Sequence, residues 1–214
     1  MKTRDRIIQA SLQLFNEHGE RSTTTNHIAA HLGMSPGNLY YHFRNKEDII
    51  RSIFALYEDH LESAFQPYTP QQLDVELLIR YFDAIFYTMW QFRFMYANLV
   101  DILGRDDALK QRYLTAQSRV QAHATELLTQ LCRDGFLCVA PGKISQLADT
   151  IRLMVSFWIS YQLTQSRNDG VTKAALYEGI LRVLMIFHGY ATDSSENTFA
   201  RLEQHYQALA QQPQ

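Results

Sequence analysis

The stretch TTNHIAAHLGMSPGNLYYHFRNKED, residues 24–48, decides the fold. Thr24 or Thr25 can cap a helix whose Ile28, Ala29 and Leu32 face inward, and Gly33 ends it. A second helix starts almost at once. Ser35 is a good N-cap, Pro36 suits a first turn that needs no amide donor, and Leu39 and Phe43 anchor one side at i, i+4 spacing. Upstream, Ile7, Ser11, Leu14 and Phe15 share a helical face, widened by Ile8 and Leu12 and stopped at His18-Gly19. Downstream of Arg44-Asn45, a fourth amphipathic helix over 46–65 carries Ile49, Ile50, Ile53, Leu56, Tyr57 and Leu61. Two short helices about three residues apart, the second presenting small, amide and aromatic side chains, form the pattern a DNA-reading helix-turn-helix needs.

With Leu39 and Phe43 turned to the core, Gly37, Asn38, Tyr40, Tyr41 and His42 are left on or near the outer side of the recognition helix. Gly37 permits close approach to a groove, and Asn38 can pair bidentately with an adenine edge. Thr24 and Thr25 at one helix start and Lys46 at another place hydroxyls, amides and a cation where backbone phosphates would lie. The candidate DNA-contact set is therefore Thr24, Thr25, Ser35, Pro36, Gly37, Asn38, Tyr40, Tyr41, His42 and Lys46.

The run Thr24-Thr25-x-x-Ile28-Ala29-x-x-Leu32-Gly33-Met34-Ser35-x-Gly37-x-Leu39-Tyr40-Tyr41-His42-Phe43-x-Asn45-Lys46-Glu47-Asp48 resembles the DNA-binding signature of the TetR family of transcriptional regulators. The resemblance implies that Thr25, Tyr41, His42 and Lys46 hold phosphates while Pro36, Gly37, Asn38 and Tyr40 or Tyr41 meet bases. Met34 departs from the valine common at that turn and should simply pack.

The whole chain agrees with such a reading. Its 214 residues are 46% hydrophobic and 20% charged, the composition of a folded globular protein. Residues 1–51 carry seven basic and five acidic residues, whereas the remaining 163 carry a net charge of −4, so a mildly basic head sits on an acidic body. Gln9, Ser11 and Gln13 interrupt any signal-peptide core, and no stretch has the roughly 18 apolar residues a membrane span requires, so cytoplasmic residence without membrane contact is expected. Cys132 and Cys138 are too few for a disulfide framework, and no metal-ligand or cofactor motif occurs.

Helical periodicity continues to the end, and no hairpin signal interrupts it; the chain reads as all-α with about nine to ten helices. Prolines 67 and 70 mark a break, with Thr69 and Pro70 opening the next helix. Helices are expected near 70–91, 93–103, 106–133, 143–166, 171–189 and 195–211. The domain division expected is a DNA-binding head over 1–51 and a ligand-binding and dimerisation body over 52–214, with the fourth helix connecting them.

The body is rich in bulky apolar side chains. Phe82, Phe86, Met89, Trp90, Phe94, Met95, Met154, Phe157, Trp158 and Tyr161 are candidates for an adaptable pocket taking an apolar or aromatic small molecule, with Tyr81, Asp83, Asp101 and Arg119 as polar orienters. Ile144, Leu147, Ile151, Met154, Val155 and Trp158 on one long helix, and Leu176, Ile180, Val183, Leu184 and Phe187 on the next, form the expected homodimer face. The alternative is a monomer in which the last helix, with Phe199, Leu202, Tyr206 and Leu209, covers those faces. A non-enzymatic repressor of a palindromic operator is the functional expectation; an all-α enzyme or a protein-docking head are its rivals, the former lacking any converging acid, base or metal set.

Overall fold

The computed structural model describes residues 2–64, 75–165 and 170–212. The expected prolines of the break, Pro67 and Pro70, and the end of the fourth helix at Phe65 lie outside them. Eleven α-helices are described: α1 Thr3–His18, α2 Thr25–His31, α3 Pro36–His42, α4 Lys46–Ala64, α5 Val75–Gln91, α6 Arg93–Ala97, α7 Leu99–Gly104, α8 Asp107–Arg133, α9 Ile144–Gln165, α10 Lys173–His188 and α11 Glu196–Ala210. Among the described residues no helix is long and apolar enough to cross a membrane.

Local chemistry sets the boundaries. Thr24 caps α2 reciprocally, its hydroxyl accepting from the His27 amide while His27 Nδ1 accepts from the Thr24 amide, both at 3.3 Å. Gly33 takes φ +65°, a left-handed turn that costs a side-chain-bearing residue strain, and so turns the chain from α2 into α3. Ser35 caps α3 through the Asn38 amide, with Pro36 at the first turn. Asn45 Oδ1 accepts from the Asp48 amide at 2.8 Å and opens α4. The helix expected over 93–103 is two helices. Asn98 adopts φ −125° and ψ 21° between them, and its side-chain amide donates to the Phe94 carbonyl at 3.0 Å, a local bond that competes with helix continuation.

Head and body share one core. Ile7, Phe15, Ile28, Leu39, Ile49 and Ile53 are almost wholly buried and continuous with Met89, Phe92, Phe94 and Met95 of α5 and α6. Phe15 of α1 packs on Phe94 with ring centroids 5.2 Å apart, and Asn16 clamps the α5–α6 corner by donating to the Gln91 carbonyl and accepting from the Phe94 amide. α4 runs through the expected division at 51/52 without a break. A second core joins α5, α8, α9, α10 and α11 around Leu78, Phe82, Leu147, Ile180, Phe199 and Tyr206.

That second core corrects the expected dimer face. Ile180, Val183, Leu184 and Phe187 of α10, with Ile144 and Leu147 of α9, are buried within the chain, packed with Phe199 and Leu202 of α11, and Leu176 is buried in the first core. Periodicity finds an apolar stripe but not the helix that covers it. The apolar side chains left in solvent on these helices are Leu153, Phe157 and Tyr161 at i, i+4, i+8 on α9, and Met185 on α10.

Candidate nucleic-acid interface and interior cavity

α3 is held by two side chains and offers the rest. Leu39 and the following Phe43 are buried in the head, whereas Ser35, Pro36, Gly37, Asn38, Tyr40 and Tyr41 are exposed, Tyr41 at 85%. His42 is half-buried, its ring edge-on to Tyr41 at 5.2 Å. The Tyr40 hydroxyl lies 3.1 Å from Thr25 Oγ1, bracing α3 against the start of α2. The two tyrosines are thus unlike: Tyr40 is tied to α2, and Tyr41 projects freely.

Lys46, expected to meet a phosphate, is engaged within the head. Its ammonium lies 2.8 Å from Glu20 Oε1 and donates to the Glu20 and Thr23 carbonyls at 2.9 and 3.4 Å. The ammonium thus has two backbone acceptors and one ion-paired carboxylate inside the head. The reason is Glu20, a wholly buried carboxylate that needs a paired cation to remain charged. Sequence reasoning missed Glu20 because nothing in its neighbourhood marks it as buried. Arg44, outside the candidate set, stands exposed immediately beyond the recognition helix.

Ion pairs continue from the head into the body. Arg105 Nη2 reaches Glu20 Oε2 at 3.0 Å, Arg21 pairs with Asp101 at 2.6 Å, and Arg51 pairs with Asp106 at 2.6 Å. The hydrogen bond from Arg21, opposed by partial burial and aided by Arg105, holds the Asp101 carboxyl below the ordinary carboxylate range. For Asp106, burial alone would raise the pKa, but the Arg51 hydrogen bond and the Leu109 amide together bring it below that range. Along α4 the series goes on: Glu58 pairs with Arg112 and Glu62 with Arg119, so α4 is strapped to α8 by three ion pairs on one side.

Beneath those pairs lies a cavity of about 140 Å³ walled by α4, α5, α6, α8, α9 and α10. Its lining includes Tyr57 and Leu61 of α4, Tyr81, Phe82 and Ile85 of α5, Tyr96 of α6, Gln117 and Val120 of α8, Arg152 and Ser156 of α9, and Phe187 of α10. Gln117 donates to the Tyr57 hydroxyl at 3.2 Å, and Tyr57 and Tyr96 hydroxyls lie 3.4 Å apart. Burial, moderated by those bonds, pushes the Tyr57 pKa up to about 12, and Tyr96 is raised likewise, so both remain neutral hydroxyls.

Of the pocket residues expected from the sequence, only Phe82 lines this cavity. Phe86 stacks on Tyr177 with centroids 4.2 Å apart, Met89 and Met95 are core, and Phe94 meets Phe15. Trp90 is half-buried against the first core beneath Arg93, and Met154 packs half-buried on the second core. Trp158 donates to the Ala175 carbonyl, while Phe157 and Tyr161 point to solvent. Among the expected orienters only Tyr81 is in the lining; Asp83 accepts from Tyr206, Asp101 pairs with Arg21 and Arg119 with Glu62. The wall that sequence reasoning overlooked comes mainly from α8, whose polar composition concealed its inward face.

Comparison with known proteins accords with this geometry. Residues 7–53 match the model of bacterial regulatory proteins of the tetR family, and residues 56–199 match that of a bacterial transcriptional repressor, TetR. Over 60 residues the chain is 35% identical to the HTH-type transcriptional regulator AcrR of Shigella flexneri, a match covering 28% of each protein. Over 58 residues it is 38% identical to QacR of Staphylococcus aureus, covering 27% of this chain and 31% of that regulator. The curated relatives are therefore matched over about a third of their length. A TetR-family regulator from Marinobacter aquaeolei VT8 is similar throughout: 35% identity, 96% of this chain and 99% of that one, TM-score 0.87. These relatives are regulators, not enzymes, and the chain belongs to the TetR family.

Proposed function

We propose that this chain is a homodimeric repressor of the cytoplasm that grips a palindromic operator through α3 and releases it when a small ligand fills the cavity. The observation that carries the reading is the division of α3: Leu39 and the adjoining Phe43 lock it into the head while Ser35 to Asn38, Tyr40 and Tyr41 are exposed to solvent. In this reading exposed Asn38 and Tyr41 read base edges, and the Thr25 and Tyr40 hydroxyls, 3.1 Å apart, and exposed Arg44 meet phosphates. The functional division falls within α4, a head ending near residue 51 and a sensing and dimerising body beyond it.

The outward stripe of Leu153, Phe157, Tyr161 and Met185 supplies the dimer contact, since exposed apolar side chains at helical spacing are relieved of water by a symmetry mate. Coupling follows from Tyr57. It lines the cavity from α4, whose other end carries Lys46 against the head, so a ligand that parts Tyr57 from Gln117 moves the helix that positions α3. A complete switch requires about a 10⁴-fold difference in ligand affinity between the two states.

Fluorescence anisotropy on operator duplex tests the DNA half of the reading. A dimer making six to ten phosphate contacts loses roughly 10³- to 10⁵-fold in affinity between about 50 and 200 mM salt. Salt-independent association, or association with proteins alone, overturns it.

A further inference from the structure

One linked set of polar groups stands in the cavity wall, and it is rich in donors. Tyr57, Tyr96 and Gln117 are linked there by their hydrogen bonds, and the Tyr113 hydroxyl is hydrogen-bonded to Ser156. Arg152, one helical turn before Ser156 on α9, lines the same cavity; its Nη2 meets Asp149, but its Nε is buried with no hydrogen-bond partner. Gln117 and Ser156 are themselves more than nine-tenths buried. Each neutral phenol brings one proton to donate, and Gln117 and Arg152 add N–H groups, so an inward acceptor would satisfy donors that the protein leaves in excess.

The opposing charge in the lining is remote. Glu126 follows Gln117 by nine residues on α8, about 13 Å along the helix at 1.5 Å per residue, and it is exposed. Most of the rest of the wall is apolar, with Leu78, Phe82 and Phe187 among its members and Tyr81, Thr88 and His123 as its other polar side chains. The volume of about 140 Å³ resembles that of an engineered apolar cavity of about 150 Å³ that takes benzene.

We propose that the effector is a small monocarboxylate with an apolar body of about one aromatic ring, its carboxylate meeting Arg152 and Ser156 and its body lying against Phe82 and Phe187. A cationic ligand of the same size would bring its charge to a wall that already holds a guanidinium, and a neutral amide would forfeit the charge-assisted bond. The inference rests on the reading of the cavity as the effector site.

Calorimetric titration of the full-length protein, without DNA at neutral pH, with benzoate, benzamide and benzylammonium tests it. Benzoate should bind about tenfold or more tightly than either neighbour, the ratio expected for a charge-assisted over a neutral hydrogen bond. Arg152→Met should erase that preference and Arg152→Lys should retain part of it. Benzamide or benzylammonium binding as tightly as benzoate overturns the carboxylate assignment while leaving a ligand cavity; no binding by any of the three at millimolar concentration overturns both. A benzoate preference surviving in Arg152→Met overturns the role of Arg152. Should that variant not fold, the selectivity of the wild-type protein decides.

Discussion

Lys46 Nζ lies 2.8 Å from Glu20 Oε1, and the carboxylate it neutralises is wholly buried and shared with Arg105 of the body. Lys46 is therefore a bracket between the α1–α2 turn and α4. Lys46→Met should cost about 3 kcal/mol, the low end for breaking a buried pair because Arg105 remains. Glu20→Gln in the same chain should restore part of that loss. Chemical denaturation measures both; operator affinity corrected for the folded fraction should keep its salt slope.

The ionised carboxylates at the head–body seam give an acid limb with a definite sign. Asp101 and Asp106 have folded pKa values below 3.8, so their stabilisation is fully present above that value and is lost as pH falls through the lower folded values. Asp106→Asn keeps a good N-cap for α8 while removing the pair with Arg51. Thermal midpoints across the acid range should fall less steeply in Asp106→Asn than in the wild type below pH 3.8.

On α3 two substitutions separate reading from gripping. Asn38→Ala should cost about 1–3 kcal/mol on operator and relax the preference for one base. Arg44→Ala should weaken all duplexes alike and reduce the salt slope by about one. Competition binding against single-base operator variants distinguishes the two patterns.

The outward face of α9 carries the dimer reading. Phe157→Glu places a charge in the middle of the Leu153, Phe157 and Tyr161 stripe, and sedimentation equilibrium should show monomers with little change in helix content. Operator affinity should fall with the dimer fraction.

Gly179 tests the packing of α9 on α10. A methyl there would lie 2.7 Å from Trp158 Cδ1 and Nε1, and Trp158 is fixed by its bond to the Ala175 carbonyl at 2.7 Å. Gly→Ala in a helix ordinarily gains up to about 1 kcal/mol, but overpacking costs about 1–3 kcal/mol. Gly179→Ala should therefore lower the thermal midpoint.

The head was legible because its information is local. Caps, a proline at N1, a turn glycine and the i, i+4 pair Leu39 and Phe43 lie within twenty residues, and each acts on its own backbone. The body was legible only as helices. Phe157 and Phe82 are both aromatic residues on apolar faces, yet one meets water and the other the cavity, because the neighbouring helices come from distant sequence. The pairing of Lys46 was hidden for the same reason: its partner Glu20 stands 26 residues earlier, and only folding buries it.

Selection of bound sequences from a random duplex pool, with the full-length protein at about 150 mM salt, is the most direct test of the central claim. A palindrome is expected whose half-sites lie about 34–36 Å apart, or a multiple of that, with the preference for one base of each half-site relaxed in Asn38→Ala. Recovery of no sequence above background, or of a site without two-fold symmetry, would contradict a dimeric operator-binding repressor.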